Sequence, residues 1–273
     1  MADADVLDRL RAAVRRLEGG AVVAFSGGVD SAVLLAVCKE QLGDRVLAVT
    51  ADSPSLPAHD RADATRLAIE FAVEHRFVPT EELTDERYRK NDSERCYFCK
   101  FALFDTLAPL AAESGLKHLA FGANVDDDGD YRPGHRAARE FAVAAPIRDA
   151  GLGKDDVRIV ARRLGLDIWD KPASACLASR VAYGTAIEPS VLARIDDAER
   201  FLRDAGYRTV RVRHHGDVAR IELAPEDLPR AVTSDRTAIE EKFRSLGWLH
   251  IGVDLAGYRS GSMNDGLSAT KLT

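Results

Sequence analysis

At 273 residues the chain is long for one domain and comfortable for two. Hydrophobic residues are 46% and charged residues 30%, ordinary values for a soluble globular protein with a full core. The net charge of −6 speaks against a general affinity for nucleic-acid backbones, although a local basic patch stays open. The N-terminal stretch MADADVLDRLRAAVRRLEGG carries no positive leader region. Its Val6, Leu7, Leu10, Val14 and Leu17 fall on one stripe of an amphipathic helix. No apolar run approaches the ~20 residues that span a bilayer. A cytoplasmic protein with reduced thiols and no membrane or nucleic-acid partner is expected.

Further along, AVVAFS (21–26) reads as a short apolar strand and VDSAVLLAVCKEQLG (29–43) as a helix closing at Gly43. RVLAVTA (45–51) is a second strand, DRADATRLAIEFAVEH (60–75) a helix, and FVPT (77–80) a third strand. A long helical region covers 96–115, and KHLAFG (117–122) is a fourth strand. After a loop rich in Gly and Asp comes the helix KDDVRIVARRLGL, with Val157, Val160, Ala161 and Leu164 apolar and a stop at Gly165. Strands alternating with helices predict an α/β domain whose parallel sheet is covered on both faces. Near Gly184 the plan changes to helix (189–206), two strands turning at His215–Gly216–Asp217, helix (235–247) and strand (248–254). This is a small α+β domain, so the expected division is 1–185 and 186–273.

Between the first strand and its helix lies SGGVDS, Ser26, Gly27, Gly28, Val29, Asp30 and Ser31. A strand passing through glycines into a helix N-terminus makes an anion site, because the backbone can approach closely and the helix dipole favours negative charge. The stretch lacks the Gly-Lys-Ser/Thr ending of a Walker loop and is no G-x-G-x-x-G dinucleotide loop. A plain structural turn leaves Asp30 unexplained. SGGVDS resembles the loop of the PP-loop ATP pyrophosphatases, which cleave ATP between the α and β phosphates. That resemblance implies a Rossmann-like, adenine nucleotide alpha hydrolase-like domain that uses ATP. Asp30 beside a polyphosphate calls for an intervening cation, hence Mg²⁺. TADSP, with Asp52 and Ser53, ends the second strand at the sheet's carboxyl edge, where such sheets bind ligands. FGANVDDDGD ends the fourth; from it Asn124, Asp126 and Asp127 are candidates to hold Mg²⁺ or orient a second substrate, and Gly122 to lie against the nucleotide. Asp128 and Asp130 read as solvated.

Four cysteines remain to be placed. Cys38, inside AVLLAVC, reads as core. Cys96 and Cys99 in RCYFCK share one helical turn. They are open to a packing role, a redox pair, or half of a metal site that has no suitably spaced histidine. Cys176 lies in WDKPASACLASRVAYG among residues too small to bury it, with Lys171 and Arg180 near in sequence to stabilise a thiolate.

Together SGGVDS, GANVDD, KPASACLASR, VRVRHHGDVARIE and GYRSGSMN resemble the LarE family across essentially the whole chain, PASACLASR being the family-selective piece. The resemblance implies an ATP-dependent sulfur transferase. It would convert the carboxylates of pyridinium-3,5-biscarboxylic acid mononucleotide to thiocarboxylates through an acyl-adenylate, on the way to the nickel-pincer cofactor of lactate racemase. One branch of the family sacrifices the cysteine matching Cys176, leaving dehydroalanine. Another joins that cysteine to a Cys-x-x-Cys pair to hold a [4Fe-4S] cluster whose open iron carries the sulfide. Cys96, Cys99 and Cys176 match the second pattern, and three thiolates suit a cubane with one iron left open. Arg211 and Arg213 alternate with Val210 and Val212, which puts both on one face of a strand; they match the family's phosphate-binding arginines. Ser179, Glu199 and Glu222 match further active-site positions, the two glutamates being readable also as solvated carboxylates, and Arg180 is a further candidate for binding the substrate. The family tends to form higher oligomers, so a homo-oligomer is implied, with a hexamer among the candidates.

The rivals are another PP-loop enzyme, a tRNA thiolase or an amide-forming ligase, and a non-catalytic nucleotide-binding protein with structural cysteines. The acidic balance argues against the first, an amide ligase has no need of Cys176, and the last leaves Asp30 and Cys176 without a role.

Overall fold

A computed structural model describes residues 2–127, 133–172 and 175–259, with side chains from residue 6 onward. Asp128, Asp130, Ala173, Ser174 and the 260–264 part of GYRSGSMN lie outside the described residues. In chain order the elements are α1 (Ala2–Arg15), β1 (Ala21–Ala24), α2 (Val29–Leu42), β2 (Val46–Asp52), α3 (Ala58–Glu70) and β3 (Glu74–Pro79). They continue with α4 (Glu86–Arg89), α5 (Arg95–Glu113), β4 (His118–Phe121), α6 (Gly134–Glu140), α7 (Pro146–Asp149) and α8 (Lys154–Arg163). The last are α9 (Pro189–Asp204), β5 (Val210–His215), β6 (Val218–Leu223), α10 (Leu228–Val232), α11 (Arg236–Ser245) and β7 (His250–Val253).

The described residues form two compact units, one from those within 1–82 and 96–172, the other from 83–95 and 175–259. In the first, a parallel sheet runs in the order β3-β2-β1-β4. Successive residues of a strand point to opposite faces, and here both faces are apolar. Ala21, Val23, Val46 and Ala48 join α1, α2 and α8 in one core, to which Val157, Val160 and Ala161 contribute as their spacing predicts. Val22, Ala24, Leu47 and Val49 join Leu103, Phe104 and Leu107 of α5 in the other. Helix α5 continues through Pro109, which forgoes one backbone hydrogen bond.

The helix expected over 60–75 stops at Glu70, and β3 already begins at Glu74. The reason is a helix stop without glycine. Ala72 takes φ +50° while its N–H bonds the Ile69 carbonyl and that of Val73 bonds Ala68, a Schellman closure. The unforeseen α6 ends the same way, with Ala142 at φ +51° and bonds from Ala142 to Arg139 and Val143 to Ala138.

In the second unit, α9 packs on β5, and the β5–β6 hairpin turns at Gly216 as its sequence predicts. β7 adds to β6 in parallel. Trp248 is buried and donates its indole N–H to Nδ1 of His214 at 3.1 Å. The contacts do not divide at residue 185. Segment 83–95 belongs here because the Asn91 amide bonds the carbonyls of Val181, Ala182 and Thr185, and Ile187 N–H bonds Arg89. Among the described residues no helix is long and apolar enough to cross a membrane.

Left-handed backbone costs alanine roughly 1–2 kcal/mol that glycine avoids, offset in part by glycine's larger loss of freedom on folding. Ala72→Gly and Ala142→Gly are each expected to raise stability by about 0.5–1 kcal/mol in urea unfolding; a loss would contradict the helix stops described here.

Candidate functional site

In the first unit the strand order reverses between β1 and β4, and at such a switch point an open α/β sheet leaves a crevice beyond its carboxyl ends. β1 and β4 run in register, Ala24 beside Phe121, so SGGVDS and GANVDD emerge at the same level. Gly27 has φ +71°, and a Cβ there would stand 2.7 Å from the Asp60 carbonyl oxygen and 2.8 Å from Ala64 N on α3. A Cβ on Gly122 would stand 2.9 Å from both Asp30 C and Ser31 N. Both glycines are therefore demanded by the close approach of backbone.

Gly28 forms the extended N-cap of α2 and offers no side chain to its first amides, which lack partners within a helix. Ser31 Oγ donates to Gly28 O at 3.0 Å, accepts from Ser26 N at 3.2 Å, and lies 3.1 Å from Ser26 Oγ. The loop is thus tied from within, with its amides gathered at the positive end of a 14-residue helix.

Asp30 stands in the first turn of that helix, and Asn124 Nδ2 donates to its Oδ1 at 3.0 Å. Burial raises the Asp30 carboxyl above the usual range; the Asn124 bond opposes this and Asp127 adds to it. Asp127 is itself buried and accepts from Asn124 N at 3.2 Å. Two neighbouring carboxylates next to a phosphate cradle fit Mg²⁺, which takes few protein ligands and completes its shell with water and phosphate oxygens. Asp126 has a different task. It caps α8, accepting from Lys154 N at 2.7 Å, and a Cβ on Gly153 would come within 3.1 Å of its carboxylate.

Of the TADSP residues, Asp52 is exposed and paired with Arg61 at 2.5 Å, and Arg61 covers the Phe77 ring at 4.0 Å. Ser53 is turned inward, donating to the buried Glu82, with Ser55 Oγ 2.8 Å away. Lys171 is not a partner of a thiolate: its ammonium bonds Asp60, Asp63 and the Gly27 carbonyl.

All four cysteines are thiols. Burial pushes Cys38 up to about 12, as suits a core residue without chemistry. Cys96 is exposed and Cys99 partly so, on the first turn of α5. That turn is braced by α6: Tyr97 donates to Glu140 at 2.8 Å, Arg136 covers the Tyr97 ring at 3.9 Å, and Gly134 admits Lys100 and the Cys96 carbonyl. In the second unit Cys176 is partly buried, and its carbonyl accepts from Ser179 N (2.9 Å), Ser179 Oγ (2.7 Å) and Arg180 (3.0 Å). Among the described residues no group of three His, Cys, Asp or Glu is close enough to hold a metal ion.

Behind Cys176 lies a buried ionic network. Arg180 and Glu199 are fully buried and doubly bonded, at 2.9 and 3.2 Å. Glu199 also accepts from Arg203 at 2.7 Å and from Val212 N at 3.0 Å. Arg180 further donates to the carbonyl of Ala175, so it fixes the backbone before the cysteine. Arg211 and Arg213 do share a strand face, but a buried one. Arg213 bonds Glu222 at 2.8 Å and the Ser179 carbonyl at 3.2 Å, and Arg211 lies 5.1 Å from the Tyr258 ring. Neither Glu199 nor Glu222 is a solvated carboxylate; both are wholly buried. Arg220 completes the network on Glu222 and Asp254. Burial alone would raise Glu199, but Arg180, then Arg203 and Arg211, bring it down to about 2. Burial and then Arg180 lower Arg211.

Arg203 and Arg220 escaped sequence reasoning. The first had a signal, being four residues beyond Glu199 on a helix; the second needed the hairpin register, which sets it opposite Arg213.

Residues 4–98 match the family model described as NAD synthase. The chain is 42% identical to the uncharacterized protein slr1717 of Synechocystis, over 89% of this chain and 91% of that protein. It is 36% identical to the pyridinium-3,5-bisthiocarboxylic acid mononucleotide synthase of Lactiplantibacillus plantarum, over 92% of this chain and 91% of that one. A tRNA-specific 2-thiouridylase of Pelobacter propionicus is 30% identical over 55% of this chain and 51% of its own length.

A carboxyl held below its ordinary value stabilises the fold above the unfolded pKa and loses that contribution as pH falls through the folded one. For Glu199 the window runs from 4.5 down to about 2. Glu199→Gln leaves Arg180 without its counter-charge and is expected to cost about 3–5 kcal/mol at neutral pH. Its unfolding should also depend less on pH across that acid window than the unaltered protein's; identical acid profiles would contradict the pairing.

Proposed function

Since the chain belongs to the family of the pyridinium-3,5-bisthiocarboxylic acid mononucleotide synthases, the LarE family, we propose that it is an ATP-dependent sulfur transferase acting on a pyridinium mononucleotide. The observation that carries this reading is the phosphate loop at the β1–β4 switch point, with the Asp30–Asn124 bond joining its two arms. A loop that presents helix-head amides beside two carboxylates suits the triphosphate of Mg-ATP. Asp30 and Asp127 would hold Mg²⁺, which supplies charge neutralisation at the phosphates when bound.

A carboxylate of pyridinium-3,5-biscarboxylic acid mononucleotide attacks the α-phosphorus of ATP, and pyrophosphate leaves. The amides of the Ser26–Ser31 loop stabilise the charge that develops on it. Sulfide then displaces AMP from the acyl-adenylate and leaves a thiocarboxylate. In the second unit Arg211 and Arg213 are proposed to hold the mononucleotide phosphate. They sit in a network where the guanidiniums of Arg180, Arg203, Arg211, Arg213 and Arg220 outnumber the carboxylates of Glu199, Glu222 and Asp254. Ser179 and Arg180, both bonded to the Cys176 carbonyl, orient the cysteine's backbone.

Cys96, Cys99 and Cys176 are the proposed ligands of a [4Fe-4S] cluster. Two accessible thiols on one helix turn, braced from behind, are a donor set chemically suited to iron. When bound, the cluster supplies a renewable sulfide nucleophile. A second reading is favoured by one observation: Ser179 and Arg180 hold the Cys176 carbonyl, which gives this cysteine a fixed place without any iron. On that reading Cys176 itself is the sulfur donor and ends as dehydroalanine.

Protein purified and reconstituted without oxygen is expected to hold about four irons with matching acid-labile sulfide, lost in Cys96→Ala. With excess sulfide it should make more than one thiocarboxylate per chain and keep Cys176 intact by mass spectrometry. Absence of iron together with one product per chain and a dehydroalanine at 176 would overturn the cluster in favour of the sacrificed cysteine.

A further inference from the structure

The two residues of the loop that most need to be held are Gly27 and Gly28, because a peptide flanked by glycines rotates at little cost. Gly27 is at φ +71° and α3 closes over it. Its carbonyl oxygen receives Nζ of Lys171 at 3.2 Å. The same ammonium reaches Asp60 Oδ1 at 2.8 Å and Asp63 Oδ2 at 2.7 Å. An ammonium has three protons, and these acceptors use all three. Asp60 is buried, and the Lys171 side chain is only 14% exposed, so the ion pair is sheltered. Burial raises the Asp63 carboxyl, but Lys171, with Arg66, brings it below the usual carboxylate range.

We propose that Lys171 is a positioning residue of the phosphate loop, fixing the Gly27–Gly28 peptide so that the loop keeps the shape in which its amides and serines meet the departing pyrophosphate. This rests on the ATP reading above. In a planar trans peptide the carbonyl and the following N–H point in opposite directions. Holding the Gly27 oxygen on Lys171 turns the Gly28 N–H towards Ser26 Oγ, 3.4 Å away, on the side where the loop serines meet. A cation on the carbonyl also polarises the peptide and strengthens its N–H as a donor. Asp60 and Asp63 aim the ammonium, and both belong to the helix that crowds Gly27. Loop, helix and lysine thus form one rigid assembly.

A purely structural ion pair would predict a loss of stability alone, so the test separates stability from nucleotide affinity. Lys171→Met removes the donor, and Asp60→Asn in the same chain relieves the buried carboxylate left behind. Binding of Mg²⁺ with α,β-methylene-ATP, which cannot be cleaved between α and β, is measured by calorimetry alongside the unfolding temperature without nucleotide. The double variant is expected to bind at least about tenfold more weakly than Asp60→Asn alone, ~1.4 kcal/mol, while still folding. Equal affinity of the two would overturn the proposal. Should the double variant fail to fold, Lys171→Arg serves: its planar fork spreads over the two carboxylates and leaves the carbonyl, so a folded protein with weakened binding is expected, and binding as tight as the unaltered protein's would overturn the proposal. If the unaltered protein does not bind the analogue, the ATP reading fails and this inference falls with it; if it binds and the variants bind equally well, only the role of Lys171 fails.

Discussion

The close approach of backbone at Gly27 and Gly122 is the constraint on which the first unit's site depends. Without side chains there, α3 can lie against the start of the loop and the end of β4 can lie against the first turn of α2. That contact brings Asn124 to Asp30 and lets two loops from neighbouring strands act as one surface. The cradle is therefore a consequence of sheet order and of two missing Cβ atoms. Its chemistry, helix-head amides and a pair of carboxylates, follows from that placement.

The second unit solves a different problem with a costly device. Buried charges lose their hydration, and a buried ion pair stabilises a fold only when nearly every donor and acceptor is met. Here Glu199 is met by two guanidiniums and a backbone amide, and Arg180 carries the remainder of its donors to the chain just before Cys176. On the sulfur-transfer reading proposed above, a network that fixes this loop would also give the Cys176 sulfur a defined position. The same network keeps an excess of positive charge, which a phosphate-bearing substrate would neutralise.

Much of this was legible in the sequence. Alternating apolar runs announced a parallel sheet buried on both faces, and SGGVDS and GANVDD announced the loops that end β1 and β4. What stayed hidden has identifiable causes. Ala72 and Ala142 end helices where glycine would have been the signal, so α3 ran on and α6 went unread. Lys171 and Asp126 looked like chemistry by proximity in sequence, whereas long-range contacts give one to the phosphate loop and the other to the head of α8. The glutamates at 199 and 222 could not be told from surface carboxylates, because only the tertiary fold reveals that arginines surround them.

Whether the loop after β1 serves adenylation of a carboxylate is read from the products of turnover. With Mg-ATP, sulfide and the pyridinium biscarboxylate mononucleotide, AMP and pyrophosphate are expected in equal amounts, formed only when the mononucleotide is present, with no ADP. Formation of ADP and phosphate, or cleavage of ATP indifferent to the mononucleotide, would contradict adenylation.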